Sequence, residues 1–440
     1  FMIKEIFLAI PSAPTKAKRR IMHICKNAKV KFKTLPDMGE LLTGRVRVSD
    51  LREFQIDDVL GRDQVRLDTL AIKEYIRGKT ILITGAGGSI GSELCRQVSQ
   101  FSPAKMVLLD QSEYNLYQIE MNMKEHSPGI ALHPLIGDIL NQNKIERILK
   151  QYRPEVVFHA AAYKHVPLME TNPEEALRTN TFGTWTIARL SHLHGVQKFV
   201  MISTDKAVRP TNVMGASKRI AEMICQEFGR TSNTKFVTVR FGNVLNSVGS
   251  VIPLFKRQIA AGGPITVTHP DIYRYFMTIP EAVQLIMQAG SMGQGGEIFI
   301  LDMGEPVRIV DLARDMITLS GLEPERDIKI VFTGLRPGEK MYEELLTESE
   351  EVTSTLHEKI KVVKTNPIDW PPLLAKIEKL LDSLRGGHGS EIMENIKTIV
   401  PDYQPEQGGP DSQEQGPVPV PLFDISGKPL GRGNDALLHE

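Results

Sequence analysis

The most constraining stretch of the chain is Ile81-Leu82-Ile83-Thr84-Gly85-Ala86-Gly87-Gly88-Ser89-Ile90-Gly91. A β-rich apolar run ends in a glycine-rich turn, and a helical pattern starts near Ser92-Glu93-Leu94. Gly85, Gly88 and Gly91 fit GxxGxxG; Gly85, Gly87 and Gly91 fit a spacing close to GxGxxG. Small residues let this backbone turn tightly and approach a pyrophosphate, and the free amides and dipole of the helix N-terminus favour the anion. A glycine pattern alone is weak; a strand before it and a helix after it supply the context a dinucleotide site requires.

Further β-rich runs follow at Lys105–Asp110, Val156–His159, Lys198–Thr204 and Lys235–Arg240, separated by helical patterns. Such alternation predicts an α/β chain: a Rossmann-type doubly wound parallel sheet with a smaller C-terminal substrate-binding part. Ligands of such sheets bind at the carboxyl ends of the strands. The loop residues Gly85, Gly87, Gly88, Ser89, Ile90 and Gly91 therefore face the cofactor. Asp110 ends the second strand, where a carboxylate accepts hydrogen bonds from an adenine ribose and repels a 2′-phosphate. That favours NAD and leaves NADP open. Ser112 follows it, Asp138 and Ile139 end a third strand, and Ala160, Ala161 and Ala162 leave room for a flat ligand after His159. Taken singly, Asp110 or Asp138 reads equally well as a helix cap.

The chain has 440 residues with 53 Lys+Arg and 53 Asp+Glu. A zero net charge argues against bulk electrostatic binding of nucleic acid. Cys25, Cys95 and Cys225 are too widely spaced for a zinc site or a disulfide framework, so no metal is expected. No window holds about 18 consecutive apolar residues, so no transmembrane helix is expected, and no signal-peptide cleavage pattern follows the start. The chain opens on Phe1-Met2 inside a strand-like run, as a piece of a longer protein would.

Residues 1–36 read as strand, helix and strand, with eight Lys/Arg and no acid between Glu5 and Asp37. That charge suits an anionic surface; a solvated helix face is the plainer reading. Residues 37–79 read as a connector, 80–385 as the cofactor-binding domain with its substrate-binding part mainly in 240–345, and 386–440 as a short helix and a flexible tail rich in Gly, Pro and Gln.

The residues TGAGGSIG, HAAA, Ala162-Tyr163-Lys164-His165-Val166-Pro167, Ser203-Thr204-Asp205-Lys206-Ala207, Arg240-Phe241-Gly242-Asn243-Val244 and Leu335-Arg336-Pro337-Gly338-Glu339-Lys340 occur in order. Together they resemble the extended short-chain dehydrogenase/reductases, and within them the UDP-N-acetylglucosamine 4,6-dehydratases of polysaccharide biosynthesis. The likeness covers about residues 45 to 400. It implies an NAD-dependent hydro-lyase that makes a UDP-4-keto-6-deoxy sugar. It implies a homo-oligomer, with helices after Lys164 and Met214 able to pair with partner helices. Long members of the family carry membrane helices and an extra nucleotide-binding-like domain. Residues 1–36 would then be the remnant of that domain, and this chain a soluble portion at the cytoplasmic face of the cell membrane, anchored only through a segment it lacks.

Most of the superfamily places Tyr four residues before Lys, on one helix face above the nicotinamide. Here Lys218 is present and the tyrosine position is Met214, which cannot transfer a proton. The long-form dehydratases are similar in this. The proton work then moves to Thr204, Asp205 and Lys206, directly after a strand. On this reading Lys206 removes the carbon-5 proton, Asp205 protonates the departing hydroxyl, and Thr204 hydrogen-bonds the carbon-4 oxygen. Out of context Asp205 and Lys206 would be a solvated loop pair and Met214 ordinary core packing.

The resemblance places Lys164, Asn180, Asn243, Val251, Thr266, Thr268, Arg274, Arg336 and Glu339 at the nucleotide sugar. Arginine forks suit a pyrophosphate, so Arg274 and Arg336 form a candidate clamp. Asn180, inside a helix, can also order the catalytic loop. His165 reads as structural more readily than as a ligand. Two other functions stay open: a nucleotide-sugar 4-epimerase, and a non-catalytic NAD-binding sensor prompted by the missing tyrosine.

Overall fold

Both faces of β1 (Thr80–Thr84) are covered, and the alternation of its side chains shows how. In this computed structural model, Ile81 and Ile83 join one apolar cluster and Leu82 another, on the opposite side of the sheet. The structure describes residues 65–347, 350–364, 368–386 and 389–405, together with 5–8, 31–34, 52–53, Ala17, Arg20, Ile21 and Ile24.

From β1 the chain runs through α1 (Ser89–Ser99), β2 (Lys105–Asp110), α2 (Glu113–His126), β3 (Ala131–Ile136), α3 (Gln142–Tyr152) and β4 (Val156–His159). A wide π-helical turn, Leu177–Gly183, leads into α4 (Thr184–Leu193) and β5 (Lys198–Ile202). Then come α5 (Val213–Thr231), β6 (Lys235–Arg240), α6 (Val251–Ala260), α7 (Ile279–Met292), β7 (Glu297–Leu301) and α8 (Ile309–Leu319). The last elements are β8 (Glu351–Ser354), β9 (Ile360–Lys364), α9 (Trp370–Gly386) and α10 (Gly389–Ile399).

The nine strands of the main sheet lie in the order β8-β9-β7-β6-β5-β4-β1-β2-β3. β3 to β7 are mutually parallel across that order, and β8 and β9 add an antiparallel edge. Sequence order reverses between β1 and β4, which opens a crevice above their carboxyl ends. One face of the sheet packs on α1 and α7 through Leu94, Val98, Val283 and Ile286. The other packs on α3, α4 and α5 through Ile145, Leu149, Ile187, Ala221 and Cys225. The expected doubly wound sheet is therefore present.

A smaller lobe is built by α6, α8 and the parallel pair Ile265–Val267 with Ile330–Phe332, around Phe255, Ile265, Leu312 and Ile317. It faces the crevice from the C-terminal side of the sheet.

One expectation needs revision. The apolar face of α5 (Val213, Ala216, Ile220, Ile224) is not left for a partner helix. Leu373, Ile377 and Leu380 of α9 and Ile392 and Ile396 of α10, in the same chain, share its cluster. Residues beyond 386 also contribute to a packed core, through α10, Val400 and Tyr403. Near the N-terminus Glu5–Leu8 and Lys31–Thr34 pair in parallel, as a strand-helix-strand reading requires. Most of the connector, including 37–51 and 54–64, and the tail from 406 lie outside the described residues. Among the described residues no helix is long and apolar enough to cross a membrane.

Candidate active site

The glycine loop closes on β4 at van der Waals limits. Gly85 has φ +66°, and a Cβ there would lie 2.7 Å from the Ala161 amide nitrogen. A Cβ on Gly91 would lie 1.9 Å from the Gly85 carbonyl oxygen. The loop is thus pressed between β4 and the first turn of α1 with no room for a side chain at Gly85 or Gly91. Gly88 caps α1 with no side-chain bond. The helix therefore opens with no side chain covering its N-terminal amides, as a pyrophosphate requires.

Asp110 braces this loop: Oδ2 accepts from the Gly87 amide and Oδ1 from the Ser112 amide, both at 2.8 Å. Ser112 in turn caps α2. Asp110, Ser112, Asp138, Ile139, Ala160, Ala161 and Ala162 line a groove of about 220 Å³ over the ends of β2, β3 and β4. Asp138 holds its own turn by accepting from the Leu140 amide at 2.8 Å. The groove shares Gly85, Gly88 and Ala160 with a larger cleft of about 630 Å³ between sheet and lobe. A glycine-rich loop, free helix amides and a carboxylate at the second strand end together fit a dinucleotide.

His159, at the end of β4, is fully buried, and burial holds its pKa down to about 3, aided by Lys218. The ring is therefore neutral. Thr184 donates to the Asn180 carbonyl at 2.6 Å, so its oxygen accepts from His159 Nε2 at 2.9 Å. Nδ1 is then the acceptor for the Thr84 hydroxyl at 2.7 Å. The chain of bonds ties β1, β4 and α4 together beneath the cofactor loop.

Two residues beyond the end of β5, Thr204 caps a short turn over Asp205–Ala207. Asp205 Oδ1 accepts from Thr204 Oγ1 at 2.9 Å and from Lys206 Nζ at 3.0 Å. Lys206 Nζ also donates to Asn243 Oδ1 at 3.3 Å and pairs with Glu343 Oε1 at 3.3 Å. Burial pulls the Lys206 pKa down, but Asp205 and Glu343 outweigh it and hold the ammonium above the ordinary lysine value. Thr204, Lys206, Met214 and Lys218 all line the large cleft. Asp205 does not: it has no exposed surface, so it reaches the cleft only through Thr204 or Lys206. Lys218 stands four residues after Met214 on α5, and burial lowers its pKa to about 8.

Lys164, Asn243, Val251, Thr266, Thr268, Arg274, Arg336 and Glu339 also line the large cleft, as does His165. Burial lowers the Lys164 pKa. Asn180 is a correction: it is wholly buried, away from the cleft, and its amide is spent on Tyr163 and Ser217. Sitting in the π-turn, it bonds to the loop after β4 instead of lining the cleft. Arg274 is a second correction to a simple two-arginine clamp. Its guanidinium is tied to the Tyr273 and Met341 carbonyls and to Glu339. Arg336 lines the cleft with its guanidinium in no hydrogen bond or ion pair among the described residues, and its backbone amide is held by Glu339 at 3.2 Å.

Sequence reasoning missed Glu343, which no local pattern separates from Glu344 beside it. It also gave Arg240 no structural part. Arg240 is fully buried between Glu222 (2.8 Å) and Glu350 (3.0 Å), and Glu222 further accepts from Ser203, next to Thr204, at 2.7 Å. The turn after β5 is thus anchored from below by a buried ion network.

The sheet order, the glycine loop on β1 and the α5 lysine define the NAD-binding fold of the extended short-chain dehydrogenase/reductases. Within that class the chain belongs to the polysaccharide biosynthesis protein family, which it matches over residues 81–365. It is 52% identical over 362 residues to the capsular polysaccharide biosynthesis protein CapD of Staphylococcus aureus, covering 82% of this chain and 60% of that protein. It is 50% identical over 378 residues to the probable polysaccharide biosynthesis protein EpsC of Bacillus subtilis (strain 168), covering 86% of this chain and 63% of that one. The chain therefore spans about 60% of the length of these relatives. Among solved structures it is similar to Pen from Bacillus thuringiensis, with 36% identity and a TM-score of 0.61 over 66% of this chain and 90% of that one.

Proposed function

We propose that the chain is the catalytic part of an NAD-dependent 4,6-dehydratase of UDP-N-acetylglucosamine, which supplies a UDP-4-keto-6-deoxy sugar for polysaccharide biosynthesis. One observation carries the reading. Where the superfamily's proton-transferring tyrosine would stand the cleft has Met214, and a coupled Thr204-Asp205-Lys206 group lies on the same cleft.

Bound NAD would supply the hydride chemistry, reversible storage of the carbon-4 hydride until it is needed at carbon 6. Lys218, held near its titration point by burial, anchors the cofactor ribose from α5. Thr204 holds the carbon-4 oxygen. Its proton passes through the Thr204 hydroxyl to Asp205 Oδ1, 2.9 Å away. That transfer discharges Asp205, the leading cause that raises Lys206, and so lets the ammonium pass one proton to an acceptor outside the substrate, from which it returns once carbon 5 has been reprotonated. Lys206 then takes the carbon-5 proton while Asp205 returns its proton, again through Thr204, to the departing carbon-6 hydroxyl. Lys206 finally reprotonates carbon 5. The carbon-4 hydroxyl proton ends in water, and both side chains recover their first state.

Arg336 and Lys164 supply positive charge for the diphosphate, and Val251, Thr266 and Thr268 enclose the nucleoside. In the whole protein, residues 1–36 close an upstream nucleotide-binding-like domain, and a segment outside this sequence brings the enzyme to the cytoplasmic face of the membrane as a homo-oligomer.

The test is proton NMR of the chain with UDP-N-acetylglucosamine and NAD in deuterated water. A new methyl signal with deuterium at carbon 5 supports dehydration. A galacto-configured product without a methyl group means a 4-epimerase. No turnover by chain that binds both NAD and the UDP-sugar means a sensor.

A further inference from the structure

Lys206 lies between two carboxylates, and each has an oxygen without a partner. Asp205 Oδ2 and Glu343 Oε2 are both buried and make no hydrogen bond among the described residues. Glu343 arrives from a segment far from β5 in sequence, its side chain 3% exposed, with Oε1 3.3 Å from Lys206 Nζ and 3.9 Å from Arg274 Nε. Glu339 completes the group through Arg274 at 3.3 Å. Three carboxylates thus face two cations, so the cluster can take up a proton without becoming positively charged. An unpartnered buried carboxylate oxygen is costly and calls for a reason. A place for a transferred proton is one.

The geometry points to Glu343 as the acceptor of the Lys206 proton during turnover. This rests on the reading of Lys206 as the carbon-5 base. As Asp205 fills with the carbon-4 proton, one Lys206 N–H bond breaks and an O–H bond forms on Glu343. The lone pair left on nitrogen takes the carbon-5 proton. After carbon 5 is reprotonated, Glu343 gives its proton back to Lys206. No proton leaves the cluster for solvent, so a lysine whose pKa is raised still works at neutral pH. Glu343 acts through Lys206 and is a positioning residue in this sense, not a group on the substrate.

The experiment compares the full chain with Glu343→Gln and Glu343→Asp, given UDP-N-acetylglucosamine and NAD in deuterated water. Nicotinamide absorbance follows carbon-4 oxidation, and NMR follows carbon-5 deuteration and methyl formation, across pH. The expected result is cofactor reduction near the wild-type rate in Glu343→Gln with carbon-5 exchange down about 100-fold. Its exchange then rises with pH, because solvent must deprotonate the amine, whereas the wild type stays flat around neutrality. Glu343→Asp recovers part of the exchange.

Glu343→Gln exchanging at the wild-type rate or faster overturns the proposal in favour of a purely electrostatic role. Equal loss of oxidation and exchange, with no recovery in Glu343→Asp, overturns it in favour of a structural role. If the glutamine variant does not bind NAD, the aspartate variant makes the comparison: exchange slowed more than oxidation supports the proposal, and both slowed equally refutes it. A wild-type chain that reduces NAD but forms no methyl group refutes the dehydratase reading itself, whatever the variants do.

Discussion

Asn180 and Tyr163 exchange two hydrogen bonds: the Tyr163 amide donates to Asn180 Oδ1 at 2.8 Å, and Asn180 Nδ2 donates to the Tyr163 carbonyl at 2.9 Å. A side-chain amide here imitates a strand partner for the loop after β4. The second Nδ2 hydrogen reaches Ser217 Oγ on α5 at 3.0 Å, one residue from Lys218. The π-turn over Leu177–Gly183 is what widens the helix enough to aim this amide at both elements.

Asn180→Ala is expected to lower stability by about 2–4 kcal/mol, because it leaves several polar groups unpaired in a buried place. Asn180→Asp removes both donor bonds and sets a carboxylate against the Tyr163 carbonyl, so it should cost at least as much. Denaturant unfolding checks the order, and kcat should fall in both variants, since the loop carrying Lys164 loses its tie.

The buried pair Arg240–Glu222 makes a pH prediction. Burial raises the Glu222 pKa, but Arg240, Arg219 and the Ser203 hydroxyl outweigh it and bring it down to about 2. A carboxyl lowered on folding adds stability above its unfolded pKa of about 4.3, and loses it as pH falls toward the folded value. Unfolding free energy should therefore drop between about pH 4.5 and pH 2. Arg240→Met leaves the buried Glu222 charge with Arg219 and Ser203 alone and should cost about 3–5 kcal/mol at neutral pH. Adding Glu222→Leu should recover much of that loss; no recovery would show that the pair does more than balance charge.

Lys206→Ala should abolish carbon-5 deuterium exchange and lower turnover by about 10³-fold, while binding of the UDP-sugar stays within a few-fold. Isothermal titration separates the two effects. Exchange persisting in this variant would remove lysine from the base role.

Met214→Tyr restores a tyrosine four residues before Lys218, yet it should not rescue Lys206→Ala. Met214 is 3% exposed in a packed cluster, so the larger ring should also cost about 1–3 kcal/mol through overpacking. Recovery of dehydration in the double variant would make the tyrosine route available after all.

Gly91→Ala should lower NAD affinity by more than about 100-fold, as the new methyl would meet the Gly85 carbonyl and force the loop off the helix start. Quenching of intrinsic fluorescence by titrated NAD measures this directly.

Much of this architecture is legible from periodicity. Ile81–Thr84, Lys105–Asp110, Val156–His159 and Lys235–Arg240 are short β-rich runs separated by helical patterns, and each is a strand of the sheet. The glycine loop is legible because no other residue type fits where Ala161 and the Gly85 carbonyl already sit. Asn180 is half legible: its place in a helix shows, but whether an amide turns to the ligand or to a neighbouring loop depends on what lies across from it. Glu343 is illegible. Its identity as the group beside Lys206, rather than Glu344, depends on how the chain returns over the cleft after Gly338, and Glu344 instead pairs with Arg209 and Lys340.

Sequence by itself determined the sheet, the cofactor loop, the methionine at the tyrosine position and the adjacent Thr204, Asp205 and Lys206. These are local matters: side-chain alternation, backbone room and neighbours on one turn. Tertiary structure alone decided that Asp205 is sealed behind Thr204 and Lys206, that Arg274 is bound to its own lobe while Arg336 is not, and that α9 and α10 cover α5. Each of these sets burial and charge by residues distant in the chain, and burial and charge, more than residue type, decide where a proton rests.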